Sequence, residues 1–147
     1  MIEINNLTDF NIDKSILKKV SEVVLKKESI GKNELSIALV GSDKIKEINY
    51  NYRKKKKPTD VLSFDSNENI PGILQENFLG EIVICPEEVK KGSEESKISF
   101  ERELIKVLIH GILHLIGFDH EDSEVNAQKM RGKEKKYLNE VLTFYEK

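Results

Sequence analysis

The segment spanning residues 99–117 constrains the fold more than any other part of the sequence, because it predicts one helix that is apolar nearly all round. Ser99 is a suitable N-cap, and Glu101 and Glu103 place negative charge in the first turn, where the helix dipole favours it. Gly117 can adopt the left-handed conformation that ends a helix. A helix with apolar residues on every side must be covered by other elements, so we expect it at the centre of the fold.

The same region contains the strongest functional signal, since all three histidines of the chain lie between positions 110 and 120. His110 and His114 are one helical turn apart and can present ring nitrogens to a common point, to which His120 can return after the bend at Gly117. We therefore expect His110, His114 and His120 to bind one divalent ion per chain, with zinc as the expected metal. Three imidazoles leave the fourth position of zinc open for water, as in catalytic zinc sites. The pattern thus predicts a hydrolase.

Two other interpretations of this pattern have to be set beside the first. Histidines are often core or helix-capping residues, and this is the simplest alternative for all three. The spacing His-x3-His-x2-Gly-x2-His is also that of metzincin metallopeptidases, in which a Glu directly after the first His is the general base. Here that position is Gly111, which can abstract no proton, so peptide hydrolysis by that mechanism is disfavoured. Gly111 either admits a bulky substrate group beside the metal or allows close packing against a sheet.

The remaining sequence predicts a sheet and further helices. Short apolar runs rich in β-branched residues predict four strands, over residues 2–4, 35–40, 61–64 and 79–85. Apolar residues at helical spacing predict three further helices: residues 13–27, a helix that starts at 42 and ends before Pro58, and residues 123–145. Asp13 and Ser42 are the predicted N-caps of the first two. Because strands and helices alternate only partly, we predict an α+β fold with helices packed on a four-stranded mixed sheet and the metal-ligand helix at its centre.

The length of 147 residues suits one domain that spans residues 1–147. The apolar run around His110 is much shorter than the roughly 20 residues that cross a bilayer, and the N-terminus resembles no signal peptide, so we expect a cytoplasmic protein without a membrane segment. The single cysteine, Cys85, has no partner for an internal disulfide, and we interpret it as a core residue. The polar stretch 65–77 predicts a long mobile loop of the kind found at active-site mouths.

Charge is distributed unevenly although the net charge is only -2. Seven basic residues and one acid lie between positions 44 and 57, whereas the segment 65–95 has eight acids and two lysines. Arg53 begins a run of five basic residues, which in most proteins would be a solvated turn. Its place before a predicted buried strand, in a chain with an open metal site, favours phosphate contact instead. Arg53 can hold phosphate with its rigid fork of donors, and Lys55, Lys56 and Lys57 would attract the substrate.

Three segments of the chain together resemble the YbeY family of bacterial metal-dependent endoribonucleases: residues 49–64, 79–85 and 110–120. The resemblance covers nearly the whole chain, and the histidine motif is highly specific. It implies cleavage of single-stranded RNA, with roles in maturing the 3′ end of ribosomal RNA of the small ribosomal subunit, in ribosome quality control and in ribosome assembly. It also implies zinc ligands at His110, His114 and His120 and a functional arginine at Arg53. Between Phe64 and Leu79 no family feature is recognisable.

These residues suggest a mechanism in which zinc polarises a phosphodiester oxygen or activates its bound water, while Arg53 stabilises charge that grows on the phosphate. Arg53 and His114 are then the expected catalytic residues. Asp119 either orients a histidine or is merely a turn residue. The bases of single-stranded RNA commonly stack on aromatic side chains, for which the nearest candidates in sequence are Tyr50, Tyr52 and Phe78.

Two other functions stay open on the sequence alone. A metallopeptidase would need a carboxylate from elsewhere, for example Glu81, close enough to reach the water on the metal. A non-catalytic ribosome assembly factor would use zinc merely to hold the C-terminal elements together. The sequence does not specify an oligomeric state.

Overall fold

The helices and strands come from a computed structural model, which describes residues 1–65, 78–118 and 123–145. In these ranges the elements are, in chain order, β1 (Ile2–Asn6), α1 (Lys14–Lys27), β2 (Glu34–Leu39), α2 (Ser42–Arg53), β3 (Val61–Asp65), β4 (Phe78–Ile84), α3 (Pro86–Ser96), α4 (Phe100–Ile116) and α5 (Glu124–Tyr145).

The strands form one mixed sheet with the order β1-β2-β4-β3. β1 runs parallel to β2, β2 runs parallel to β4, and β3 lies antiparallel to β4 at the edge. Helices pack on this sheet, so the predicted α+β fold with a four-stranded mixed sheet is confirmed.

The two faces of the sheet follow from the alternation of side chains along each strand. In β2, Leu35, Ile37 and Leu39 are buried, and together with Ile82 and Ile84 of β4 they join the main core beneath α1, α4 and α5. The opposite face carries a smaller apolar cluster, to which α2 contributes Ile45; its other buried members are Val40, Leu62, Phe64, Val83 and Cys85.

Helix α4 lies at the centre of the molecule, as its apolar sequence predicts. It contacts α1, α3 and α5 as well as β3 and β4, and Ile109 and Ile112 are completely buried. The hydroxyl of Ser99 caps the helix by accepting a hydrogen bond of 3.1 Å from the backbone N–H of Arg102. Gly117 ends the helix with a φ of 111°, a left-handed conformation that glycine adopts without a Cβ clash.

Other boundaries agree with the sequence less closely. Asp13 caps α1 as predicted, through a hydrogen bond of 2.9 Å from the backbone N–H of Ser15. The prediction of Ser42 as the N-cap of α2 is wrong by one residue, because Gly41 occupies that position and no side chain caps the helix. Helix α3 was not predicted, since its sequence is mostly charged and Val89 is the one large side chain that it buries in the core.

Cys85 is buried and unpaired, which confirms its assignment to the core. Its thiol pKa is raised by burial, so the sulfur stays protonated and unreactive. Of the predicted loop, residue 65 ends β3 and residues 66–77 lie outside the described ranges. Among the described helices, none is both long and apolar enough to span a membrane.

Candidate active site

His110 and His114 lie on the same face of α4, and each is half-buried at the edge of the core. Their Nε2 atoms are 3.1 Å apart, and their rings meet nearly edge-on at 75°. Two nitrogens bound to one tetrahedral zinc ion at about 2.0–2.1 Å would be roughly 3.3 Å apart. The pair therefore fits a single ion between the two Nε2 atoms, as the one-turn spacing predicts. In the structure, the 3.1 Å between the two Nε2 atoms also allows a hydrogen bond between His110 and His114.

Glu134 of α5 holds the ring of His110 from its other side. Its Oε1 lies 2.7 Å from Nδ1 of His110, and each side chain is about one-third exposed. A carboxylate can only accept, so Nδ1 carries the proton and the lone pair of the neutral ring is on Nε2, the atom that faces His114. A carboxylate bonded to the far nitrogen of a metal-binding histidine is the usual way in which proteins fix such a ring.

Sequence reasoning missed Glu134 because it lies 24 residues after His110 and is one of several acids on a charged helix. The only available signal was its place one turn after Met130, on the side of α5 that faces the core. Asp119, which we considered for this role, lies outside the described residues.

The predicted third ligand, His120, also lies outside the described residues. Within residues 1–65, 78–118 and 123–145, no group of three or more His, Cys, Asp or Glu side chains could hold a metal ion. The structure thus brings together two of the three predicted ligands and leaves the third as a prediction.

Gly111 packs tightly against the sheet rather than opening a space beside the histidines. A Cβ at this position would lie 3.2 Å from methyl carbons of both Val61 and Ile82 and 3.3 Å from the hydroxyl of Ser63. The Ser63 hydroxyl also donates a hydrogen bond of 2.9 Å to the carbonyl of Gly111. Of the two interpretations of Gly111, close packing is therefore the one that the structure supports.

Arg53 shares a cleft of 280 Å³ with both histidines. The guanidinium donates a hydrogen bond of 2.9 Å from Nη2 to the carbonyl of Ser63, and its Cζ lies 5.0 Å from the centre of the Phe64 ring. Because these contacts position Arg53 at the end of α2, its charge faces the histidines across β3. The cleft is lined by Arg53, Val61, Leu62, Ser63, Asp65, His110, His114 and Leu115.

The three lysines predicted to bind substrate are exposed and are not among the described residues that line this cleft. Lys56 places its Nζ 5.3 Å from the centre of the Tyr50 ring, and the carbonyl of Lys57 accepts a hydrogen bond of 2.9 Å from buried Asn49. These contacts place the lysines in a basic turn that follows α2. The role of Lys55, Lys56 and Lys57 toward substrate stays a prediction.

None of the three predicted stacking residues lines the cleft in the described part of the chain. Tyr52 is 61% exposed and meets Phe64 edge-on, Tyr50 is 45% exposed, and Phe78 is half-buried at the start of β4. Their role toward RNA bases stays a prediction.

Glu81 is not placed to serve as a base for a metallopeptidase. Ile82 faces α4, since its methyl group lies 3.2 Å from where a Cβ of Gly111 would be. Successive strand residues point to opposite faces, so Glu81 faces away from the histidines, where it accepts a hydrogen bond of 3.3 Å from Ser36.

A partly buried polar cluster fixes α5, and with it Glu134, against the rest of the fold. Glu28 at the end of α1 accepts hydrogen bonds from Lys133, at 2.6 Å, and from the Tyr137 hydroxyl. Burial raises the pKa of Glu28, but these hydrogen bonds and the charge of Lys133 outweigh it, so the net pKa is below its usual value. Burial and the bond to Glu28 raise the pKa of Tyr137. Lys133 also lies 4.9 Å from the ring of Phe118, just after α4.

A family model described as "Endoribonuclease YbeY" matches residues 3–142 of the chain. Among similar curated proteins, one of that name from Thermotoga maritima is 43% identical over 125 residues, which cover 85% of this chain and 78% of the relative. Another of that name from Persephonella marina is 40% identical over 139 residues, which cover 95% of this chain and 90% of the relative.

The fold is similar to one solved structure from Thermotoga maritima, determined in solution. The similarity has a TM-score of 0.70 with 38% sequence identity, and it covers 99% of this chain and 92% of the other. Both sequence and fold therefore match over nearly the full length.

Proposed function

The chain belongs to the YbeY family of endoribonucleases, and on this premise we propose that it cleaves single-stranded RNA with the aid of one zinc ion held by His110, His114 and His120. One observation supports this proposal most strongly: the Nε2 atoms of His110 and His114 lie 3.1 Å apart in the cleft that Arg53 also lines. A catalytic metal site needs such converging nitrogens together with a group that can receive phosphate charge.

The histidines would hold the ion, and the rest of the chain would prepare them for it. Glu134 accepts a hydrogen bond from Nδ1 of His110, which directs the lone pair of Nε2 toward the position of the ion. Gly111 lets α4 lie directly on β3 and β4, which sets the distance between the histidines and Arg53. When bound, zinc supplies Lewis-acid polarisation of a phosphodiester oxygen and activates water at neutral pH.

Arg53 is the residue that we assign to the phosphate. Its guanidinium is always charged and carries five N–H donors in a planar fork, a geometry that suits the binding of two phosphate oxygens at once. Charge that develops on the phosphate during cleavage would be stabilised by this group in a partly enclosed cleft, where electrostatic interactions are stronger than in water. The lysines at positions 55–57 would add attraction at longer range.

In the cell, we propose that the substrate is ribosomal RNA of the small ribosomal subunit and that the enzyme matures its 3′ end and takes part in ribosome quality control in the cytoplasm. The support is the agreement with the family over residues 3–142 together with the predicted ligand and arginine positions. The metallopeptidase alternative loses support, because Glu81 faces away from the histidines.

The test is metal analysis of the purified protein together with RNA cleavage before and after chelation. We expect about one zinc per chain, cleavage of a single-stranded fragment that contains the 3′ end of small-subunit precursor RNA, loss of cleavage with EDTA and its return with zinc. His114→Ala should lose zinc and cleavage together, whereas Arg53→Ala should keep zinc and lose cleavage. A folded, metal-loaded protein that cleaves no RNA, or cleavage that resists chelation, would refute the proposal.

A further inference from the structure

A second cleft opens on the other side of His110, between α4 and α5. It has a volume of 420 Å³ and shares Val61 and His110 with the cleft of Arg53, so the two clefts meet at the first histidine. It is lined by Asp60, Val61, Glu103, Lys106, Val107, His110, Arg131, Glu134, Lys135 and Leu138. Among the described residues, His110 is the one predicted site residue that lines this cleft.

The lining side chains come from two helical stripes that face each other. On α4, Lys106 and Val107 lie one turn before His110, so the α4 stripe continues the histidine face by roughly 6 Å along the axis. On α5, Arg131, Lys135 and Leu138 follow the same spacing. The second cleft is therefore a direct extension of the reaction site along one groove.

The charges in this cleft are separated by depth. Glu134 is held by His110, and Glu103, whose side chain is only 13% exposed, lies 4.0 Å from Lys106. The cations are at the rim, where the Lys106 and Arg131 side chains are 45% and 60% exposed. Asp60 adds a further acid, half-buried beside β3. The rim of the cleft thus offers the positive charge of Lys106, Lys135 and Arg131, the last of which is paired with Glu124 at 3.3 Å. Of the deeper acids, Glu134 is bonded to His110, whereas the buried Oε2 of Glu103 has no hydrogen-bond partner among the described residues.

The walls between these charges are apolar. Val107 is buried with 5% of its surface exposed, Leu138 and Val61 are half-buried, and together they form the apolar part of the lining. An apolar wall flanked by exposed cations is compatible with single-stranded nucleic acid, whose splayed bases can lie on apolar side chains while its phosphates follow the cations.

We propose that this second cleft binds the nucleotide next to the scissile phosphate, with its base against Val107 and Leu138 and its flanking phosphates on Lys106 and Lys135. Arg131 lies one turn before Lys135 and extends the positive rim. The inference rests on the proposed function, since it gives the RNA a path away from the histidines. It predicts selection of single strands, because a base that lies against Val107 and Leu138 must first leave its pairing partner.

The test compares the double variant K106Q/K135Q with the control K90Q/K129Q, which removes the same charge from exposed positions on α3 and α5 outside the cleft. Binding of a fluorescein-labelled single-stranded RNA is measured by anisotropy in EDTA over a range of NaCl concentrations. We expect K106Q/K135Q to bind about tenfold more weakly and the slope of log affinity against log salt to fall by about 1.4, or 0.7 for each lost phosphate contact. The control should change both quantities much less.

The inference would be overturned if K106Q/K135Q and K90Q/K129Q bound single-stranded RNA with the same affinity and salt dependence. It would also be overturned if K106Q/K135Q weakened the binding of single-stranded and duplex RNA equally, because the two lysines would then attract any RNA by charge alone. If K106Q/K135Q does not fold, as judged by circular dichroism, the single variants Lys106→Gln and Lys135→Gln replace it, each with about half the expected change in slope.

Cleavage with added zinc separates this inference from the proposed function. If the unmodified protein cleaves RNA and K106Q/K135Q cleaves it with an unchanged KM, the proposal that the second cleft binds a nucleotide is refuted and the proposed function is not. If the unmodified protein cleaves no RNA, the proposed function fails, and the anisotropy result still decides whether the cleft binds RNA.

Discussion

Glu134 Oε1 lies 2.7 Å from Nδ1 of His110, across the contact between the last two helices. This bond fixes the tautomer of the histidine and turns its Nε2 toward His114, so the geometry of the candidate metal centre depends on how α5 docks on α4. The docking is in turn secured by Glu28, which bonds both Lys133 and Tyr137 on either side of Glu134.

Replacing Glu134 should weaken zinc binding without unfolding the protein. We expect Glu134→Ala to lower zinc affinity by about 10- to 100-fold, because the His110 ring loses its acceptor. Glu134→Gln retains an acceptor oxygen and should restore part of the loss. Competition with a chromogenic chelator measures the affinity, and Glu94→Gln on α3 is the charge-matched control. Unchanged affinity in Glu134→Ala would show that the contact plays no part in metal binding.

Adding a methyl group to Gly111 should cost stability, whereas adding one to Gly132 should not. At Gly111 a Cβ would crowd Val61, Ile82 and Ser63 at 3.2–3.3 Å, and at Gly132 it would meet nothing within 4 Å. Overpacking typically costs 1–3 kcal/mol and alanine gains up to about 1 kcal/mol over glycine in a helix, so we expect Gly111→Ala to lose about 1 kcal/mol. Gly132→Ala should gain about 0.5–1 kcal/mol. Urea unfolding in EDTA measures both, and a stabilised Gly111→Ala would contradict the packing.

The stability supplied by Glu28 should vanish in acid. Its pKa is lowered in the folded state, so the ionised carboxylate stabilises the fold above the usual pKa of about 4.3, and the contribution is lost as the pH falls through the folded pKa. The Glu28 side chain is 8% exposed, and we expect Glu28→Gln to cost about 1–2 kcal/mol at pH 7. Urea unfolding at several pH values measures the difference, which should shrink below about pH 4.3. Exposed Glu22→Gln on α1 is the control, and a difference that does not depend on pH would contradict the ionised network.

Changing Arg53 should affect the reaction and not the fold. We expect Arg53→Ala to lower kcat by about 100-fold, because the phosphate charge loses its partner, while loss of the contacts with Ser63 and Phe64 lowers the unfolding free energy by only about 1 kcal/mol. Arg53→Lys keeps the charge but loses the fork and the planar contact with Phe64, so it should recover only part of the activity. Lys32→Ala, an exposed position outside the cleft, is the control. Full activity in Arg53→Ala would remove it from the mechanism.

Local signals were sufficient for the parts of the fold that depend on neighbouring residues. The sequence predicted three helix caps that the structure contains, at Asp13, Ser99 and Gly117. These could be predicted because a cap acts within one turn of the helix. Helix α3 could not be predicted in the same way. It buries little besides Val89 and is held by packing on α4, which a pattern within its own sequence does not reveal.

The residues of the candidate site also differ in whether local sequence alone could predict them. The pairing of His110 with His114 follows from helix geometry alone, and Arg53 was predicted from its place at the start of a basic run before a strand, with the family motif in agreement. Glu134 is different, because its contact with His110 joins two elements that only the folded chain brings together. The choice between the two interpretations of Gly111 likewise needed the position of β3 and β4 beneath it.

The most direct measurement is a zinc-edge anomalous difference map from crystals of the zinc-loaded protein. It should show one peak per chain in contact with Nε2 of both His110 and His114, with His120 as the third protein ligand and one coordination position left for a reacting molecule. A peak elsewhere, histidine rings that point apart, or a fourth side chain that closes the coordination sphere would contradict a catalytic zinc site.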